Sequence, residues 1–150
     1  MNQHLVLIGL MFCSVCAPQL HGVSCDGTYN YVTGLNLNSS NLSGIIPSSI
    51  GNFTSLQYLD LWSNQLTGTI PSSIGNLISL AGLFLSNNTL SGITPPSLAY
   101  LPMAHIGLSN NYLSSNIIAF VNILLTNDSN RTHGIAFDNN PNIFGEINKL

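Results

Sequence analysis

Charge is what this sequence has least of. Its 150 residues include two Lys or Arg and five Asp or Glu, 5% charged in all, where an ordinary soluble domain carries roughly 25%. The two cations are Arg131 and Lys149, so there is no basic patch for a phosphate backbone or an anionic lipid surface, and nucleic-acid binding is excluded. Metal chemistry has little to work with: four His and five acids are scattered, with no H-x-x-x-H pair and no carboxylate cluster. No apolar run reaches the roughly 20 residues of a membrane span; Leu5 to Val15 and residues 116–125 both fall short. What the chain does have is 45% hydrophobic residues, enough to bury a core in one domain, with Asn, Ser, Thr and Gly carrying the polarity in place of charge.

The first seventeen residues, MNQHLVLIGLMFCSVCA, read as an export signal: the apolar run has the length of a signal core and Pro18 closes it. Cleavage near residue 17 leaves Cys25 as the one thiol, an odd cysteine in an oxidising compartment. Either Cys16 stays and pairs with Cys25, or part of the framework is missing. Six N-x-S/T sequons, at Asn38, Asn41, Asn52, Asn87, Asn127 and Asn130, fit a glycosylated secreted protein.

Self-similarity dominates the middle of the chain. When 56–79 is laid over 80–102, Leu59 meets Leu83, Leu61 meets Leu85, Asn64 meets Asn88, Leu66 meets Leu90, Gly68 meets Gly92 and Pro71 meets Pro95, each 24 apart. A step back places Leu35, Leu37, Leu42, Gly44 and Pro47 in the same slots, with Ser40 where the asparagine belongs. A step forward finds Ile106, Leu108, Asn111 and Leu113 but not the following Gly and Pro, so three good units precede a fourth that decays.

Each slot has a physical reason. In L-x-x-L-x-L the last two leucines are two apart, so both face one side of a short strand and the residues between them face the other. The leucines make a core and the x positions a surface. The asparagine three residues later satisfies backbone groups that stacking would bury unpaired, which places Asn88 in a ladder between Asn64 and Asn111 and leaves Asn87 outside it. Gly68 and Gly92 allow a bend where a Cβ is unwelcome, and the prolines fix an extended or turning return segment with no room for an ordinary helix.

The pattern L-x-x-L-x-L-x-x-N-x-L-x-G-x-I-P at this period resembles the plant extracellular leucine-rich-repeat family of receptor-like kinases, receptor-like proteins and polygalacturonase-inhibitor-like proteins. The resemblance covers about residues 22–115. It implies an α/β-type repeat solenoid, mostly β, forming a short curved stack with a parallel concave sheet. Residues 21–44 look like the end of that family's N-terminal cap running into a first repeat, though compressed, and 135–147 resembles either another repeat or the segment before the family's C-terminal cysteine cap. The expected organisation is a signal peptide at 1–17, a shortened cap at 18–33, repeats at 34–113 and a degenerate repeat with a C-terminal segment at 114–150. The apolar stretch 116–125 is a diverged coil or a covering strand or helix.

The outward slots carry the functional expectation. They are Gly34, Asn36 and Asn38, then Tyr58, Asp60 and Trp62, then Gly82, Phe84 and Ser86, and last His105, Gly107 and Ser109. Tyr58, Trp62 and Phe84 gather aromatics where core burial does not account for them, and with Asp60 and His105 they are the candidate ligand-binding residues. The alternative is that the rings cover the sheet or a neighbouring repeat. Catalysis is not expected: Asp60 and His105 lie two strands apart, roughly 10 Å, beyond hydrogen-bond reach, and the kinase of many relatives would need a strand lysine and H-R-D and D-F-G motifs, whereas the first strong cation here is Arg131.

No cofactor and no metal are implied. The resemblance implies a non-catalytic extracellular recognition module, a fragment or short form of a receptor-like ectodomain. Its partners would be a peptide, a glycan or another protein, a receptor kinase among them, bound on the concave face in signalling or defence. A secreted inhibitor of cell-wall-degrading enzymes or an ice-binding protein is the alternative. For glycosylation, Asn52 on the return segment is preferred, with Asn41, Asn87, Asn127 and Asn130 as further candidates, while sugar on Asn38 would obstruct the face.

Overall fold

The computed structural model describes residues 21–28, 30–116 and 134–144. Among them every regular element is a short strand or a 3-10 helix, in keeping with a repeat that leaves no room for a longer helix. The L-x-L segments form β2 (Val32–Asn36), β4 (Tyr58–Asp60), β6 (Gly82–Phe84) and β8 (His105–Gly107). These pair in parallel, one coil over the next, in the register Leu35, Leu59, Leu83, Ile106.

Two further strands close the sheet. β1 (Val23–Cys25) runs antiparallel against β2, and β10 (Gly134–Ala136) adds in parallel to β8, giving six strands in the order β1, β2, β4, β6, β8, β10. The segment 135–147 thus begins with one more parallel strand on the stack. The interior is a column of leucines: Leu59, Leu61, Leu83 and Leu85 are fully buried, as are Leu56, Leu80 and Leu90. Each fully buried Leu contributes about 1.5–3 kcal/mol relative to leaving it in water.

Behind the main sheet the chain returns through a second strand set. β3 (Ser43–Ile45) pairs with β5 (Gln65–Thr67), while β7 (Ser91–Ile93), β9 (Tyr112–Asn116) and β11 (Asn142–Phe144) form a three-stranded sheet, and a bridge between Thr69 and Ser91 links the two groups. Gly68 and Gly92 turn the chain there at φ +74° and +77°, a region that costs an L side chain strain. Pro47, Pro71 and Pro95 then sit extended and lead into η1 (Ser48–Asn52), η2 (Ser72–Asn76) and η3 (Pro96–Tyr100), which stack on one another.

Candidate functional site

The asparagine ladder fixes how the strands present their outward residues. Asn88 Oδ1 accepts from the Leu66 N–H at 3.0 Å, and its Nδ2 donates to the carbonyls of Leu61 in the preceding coil and Leu85 in its own, at 3.0 and 3.1 Å. Asn64 repeats this with Leu42, Leu37 and Leu61, and Asn111 with Leu90, Leu85 and Leu108. Asn140 makes the same three bonds, with Leu113, Leu108 and Phe137, a rung that the 24-residue spacing did not reach because 114–133 intervenes. In the first described coil Ser40 stands in the asparagine's slot, and its N–H donates to Asn64 Oδ1 at 3.1 Å.

So held, the outward residues form three rows across the sheet. Gly34, Tyr58, Gly82 and His105 are register partners in one row, and Asn36, Asp60, Phe84 and Gly107 in the next. The third row, just beyond the strands, holds Asn38, Trp62, Ser86 and Ser109. Tyr58 and Trp62 are 53% and 43% exposed, so neither ring fills the core. Phe84 is less open than the sequence reading implied, because its ring lies back over glycine. A Cβ on Gly82 would stand 3.0 Å from Phe84 Cε2 and 3.0 Å from Tyr58 Cδ1, so the two rings converge above that bare backbone.

The expected ligand-binding residues divide into two groups. Tyr58, Asp60 and Phe84 share one recess of about 460 Å³ at the β1 end of the sheet, walled on the far side by Ser24. Trp62 follows Asp60 by two residues on the same face, its N–H donating to Asp60 Oδ1 at 3.0 Å. His105 is exposed on the next strand but one, beside Gly82, and stands apart from the recess. Asp60 is also held by Asn38, whose Nδ2 donates to Asp60 Oδ2 at 3.2 Å and to Asn36 Oδ1 at 2.6 Å.

Ser24 was not singled out from the sequence, and Asn36, Asn38 and Gly82, though read as outward positions, were not placed in the site. Gly82 could have been, as a glycine in an outward slot between two aromatics. Ser24 could not, since β1 lies outside the repeat and pairs antiparallel.

Of the expected sugar acceptors, Asn52 is exposed at the end of η1. Asn41 and Asn87 both adopt positive φ, +55° and +58°; Asn41 accepts from Gln65 Nε2, and Asn87 accepts from Asn110 Nδ2 at 2.6 Å. Asn127 and Asn130 lie outside the described residues. Cys25 on β1 is disulfide-bonded, and Cys16, its expected partner, lies outside the described residues. Among the described residues no group of three or more His, Cys, Asp or Glu could hold a metal ion, and no helix is long and apolar enough to cross a membrane.

A leucine-column core, an asparagine ladder and a parallel concave sheet define the class, and the family models agree: Leucine rich repeat matches residues 54–113 and Leucine Rich Repeat residues 31–53. The chain belongs to the leucine-rich-repeat family. Among solved structures it is similar to plant receptor-kinase ectodomains. A chain of the BIR3–SERK2 complex from Arabidopsis thaliana is 28% identical with a TM-score of 0.72, over 98% of this chain and 90% of that one. The ectodomain of the receptor kinase SOBIR1 from Arabidopsis thaliana has the same fold, with a TM-score of 0.68 at 24% identity over 95% and 94%.

The PEPR1–AtPEP1 structure is 39% identical over 64% of this chain, with a TM-score of 0.61, and this chain spans 14% of that one. No curated protein matches significantly.

Proposed function

We propose that this chain is a non-catalytic extracellular recognition module that binds a peptide or a partner receptor on the β1 end of its concave face. The observation that carries the reading is the convergence of Tyr58 and Phe84 beside Asp60, with the exposed Trp62 two residues further along the same face, on a sheet whose other outward positions are Gly, Ser and Asn apart from His105. Large rings that neither fill the core nor cover another element are the usual anchors of a binding hot spot.

The similar structures support the same reading. PEPR1 was solved with AtPEP1, the plant peptide hormone receptor RGFR1 in complex with RGF2, and BIR3 with SERK2. Export and a sugar on Asn52 belong with this reading, because Asn52 sits on the return segment away from the concave rows. The inhibitor and ice-binding alternatives have no specific observation in their favour: the aromatic and acidic side chains of β4 and β6 interrupt the flat Thr/Asn array that ice would require.

The test is binding of wild type and Trp62→Ala to a panel of secreted plant peptides and receptor-kinase ectodomains, with melting curves of both proteins. A panel member should bind wild type and lose about 2 kcal/mol of affinity, near thirtyfold, in the variant while the melting temperature holds. No binder, or an equal loss of stability, overturns the proposal.

A further inference from the structure

The recess beside β1 has a chemical character that the rest of the face lacks. Asp60 is the one acidic residue among those that line it, and the rings of Tyr58 and Phe84 line it too. Each carboxylate oxygen already accepts one bond, Oδ1 from the Trp62 N–H and Oδ2 from Asn38 Nδ2. A carboxylate offers about four acceptor positions, so each oxygen keeps one for a visitor. No described residue is Lys or Arg, since both cations of the chain, Arg131 and Lys149, lie outside the described residues. The recess therefore presents an ordered anion and two aromatic rings with no described cation to neutralise the charge. The neighbouring positions are kept low: Gly34 and Gly82 flank Tyr58 in its row, and Gly107 follows Phe84 in the next.

Resting on the recognition reading above, we propose that this recess seats a guanidinium, the side chain of an arginine carried by the peptide or protein bound on the concave face. A guanidinium is planar and donates two parallel N–H groups, which fits two carboxylate oxygens that each have one acceptor position open. The same plane stacks on an aromatic ring, and the ring quadrupole attracts the charge. A lysine ammonium would use only one of these features well, and an anionic or wholly apolar group would leave Asp60 unpaired under the ligand. Asp60 is thus the specificity-determining residue, with Asn38 and the Trp62 backbone orienting it. Tyr58 and Phe84 supply the walls, and Gly82 lets them close to this spacing.

The experiment uses N-acetyl-arginine amide and its neutral isostere N-acetyl-citrulline amide as probes, titrated into the full chain and followed by amide chemical shifts. The arginine probe should move the signals of Asp60, Gly82 and Phe84 and weaken as salt is raised. Citrulline amide should bind at least tenfold more weakly. In Asp60→Asn the preference for arginine should vanish. Asparagine can still accept from the Trp62 N–H, whereas its amide nitrogen would meet Asn38 Nδ2 unless the Asn38 amide turns over and gives up its bond to Asn36; a melting curve verifies that the fold is kept.

Equal binding of the two probes to wild type overturns the proposal on its own, whatever the variant does, as does an undiminished preference in Asp60→Asn. The two readings separate cleanly. A panel partner that depends on Trp62 but not on Asp60 leaves the recognition module standing and removes the arginine seat. Arginine selectivity without any panel partner removes the module as proposed and keeps the seat.

Discussion

At the scale of single residues, the asparagines show how much depends on register. Asn88 is buried and its amide makes bonds to three backbone groups, so Asn88→Ala strands groups that water cannot reach, at about 1–3 kcal/mol. The sequence suggested Asn87→Ala as a nearly silent control. The structure changes that expectation: Asn87 holds φ +58°, and alanine there costs roughly 1 kcal/mol of backbone strain. Asn87→Gly is the proper control, and in chemical denaturation it should stay close to wild type while Asn88→Ala falls well below it. The reverse order would mean that the repeat register is wrong.

Asp26 offers a smaller test. The Thr28 hydroxyl first, then the Tyr31 and Asn30 N–H groups, hold its carboxyl below the ordinary value of 3.8. A lowered folded pKa adds stability that is present above the unfolded value and disappears as pH falls through the folded one. Melting curves on acidification should show a slight loss in wild type that Asp26→Asn does not share.

Between elements, the coils touch so closely that side chains on the return path are decided by the next coil. In η1 a Cβ on Gly51 would lie 2.4 Å from the Ser73 carbonyl oxygen in η2, and on Gly75 in η2 it would lie 2.5 Å from Ser97 Cβ in η3. Gly51→Ala should therefore push η1 off η2 and cost about 1–3 kcal/mol by overpacking. Gly27→Ala, with nothing within 4 Å of the new methyl, should be silent. Urea midpoints of the two variants check the pair, and equal midpoints would show that the 3-10 stack yields without cost. On the concave side the close approach involves flexible ring edges instead. Gly82→Ala should move Tyr58 and Phe84 apart and weaken arginine binding more than it lowers stability.

For the whole molecule, stability is roughly a sum over coils and the interfaces between them. A stack this short has few interfaces to share a loss, and a native domain holds only about 5–15 kcal/mol in reserve. Asn88→Ala combined with Gly51→Ala acts at separate interfaces, so the costs should add to within about 0.5 kcal/mol, and a cooperative melt should be lost or fall near room temperature. Glycosylation is tested on the intact chain in a secretory host: treatment with a glycosidase should shift its mobility, and Asn52→Gln should remove part of that shift. An unchanged band would remove the export and sugar proposals while leaving the concave site untouched.

The division between what could be read and what had to be built is sharp in this molecule. Leucines two apart at a period of 24 already fix a short strand with one buried side, and repetition fixes the stacking, so the core, the parallel concave sheet and its outward rows were legible from Leu59, Leu83 and their equivalents. Asn64, Asn88 and Asn111 were legible as rungs for the same reason, because their partners recur at the same spacing. Asn140 needed the tertiary structure, since it stands 29 residues after Asn111 and off the repeat spacing, and only the stacking of 134–136 on β8 puts it in line.

The recess was decided there too. Its floor is an absence, Gly82, its wall is Ser24 on an antiparallel strand outside the repeat, and its carboxylate is aimed by an asparagine 22 residues earlier. A periodic pattern specifies what every coil does alike. A binding site is made where coils differ, and those differences acquire meaning only once the coils lie side by side about 4.8 Å apart.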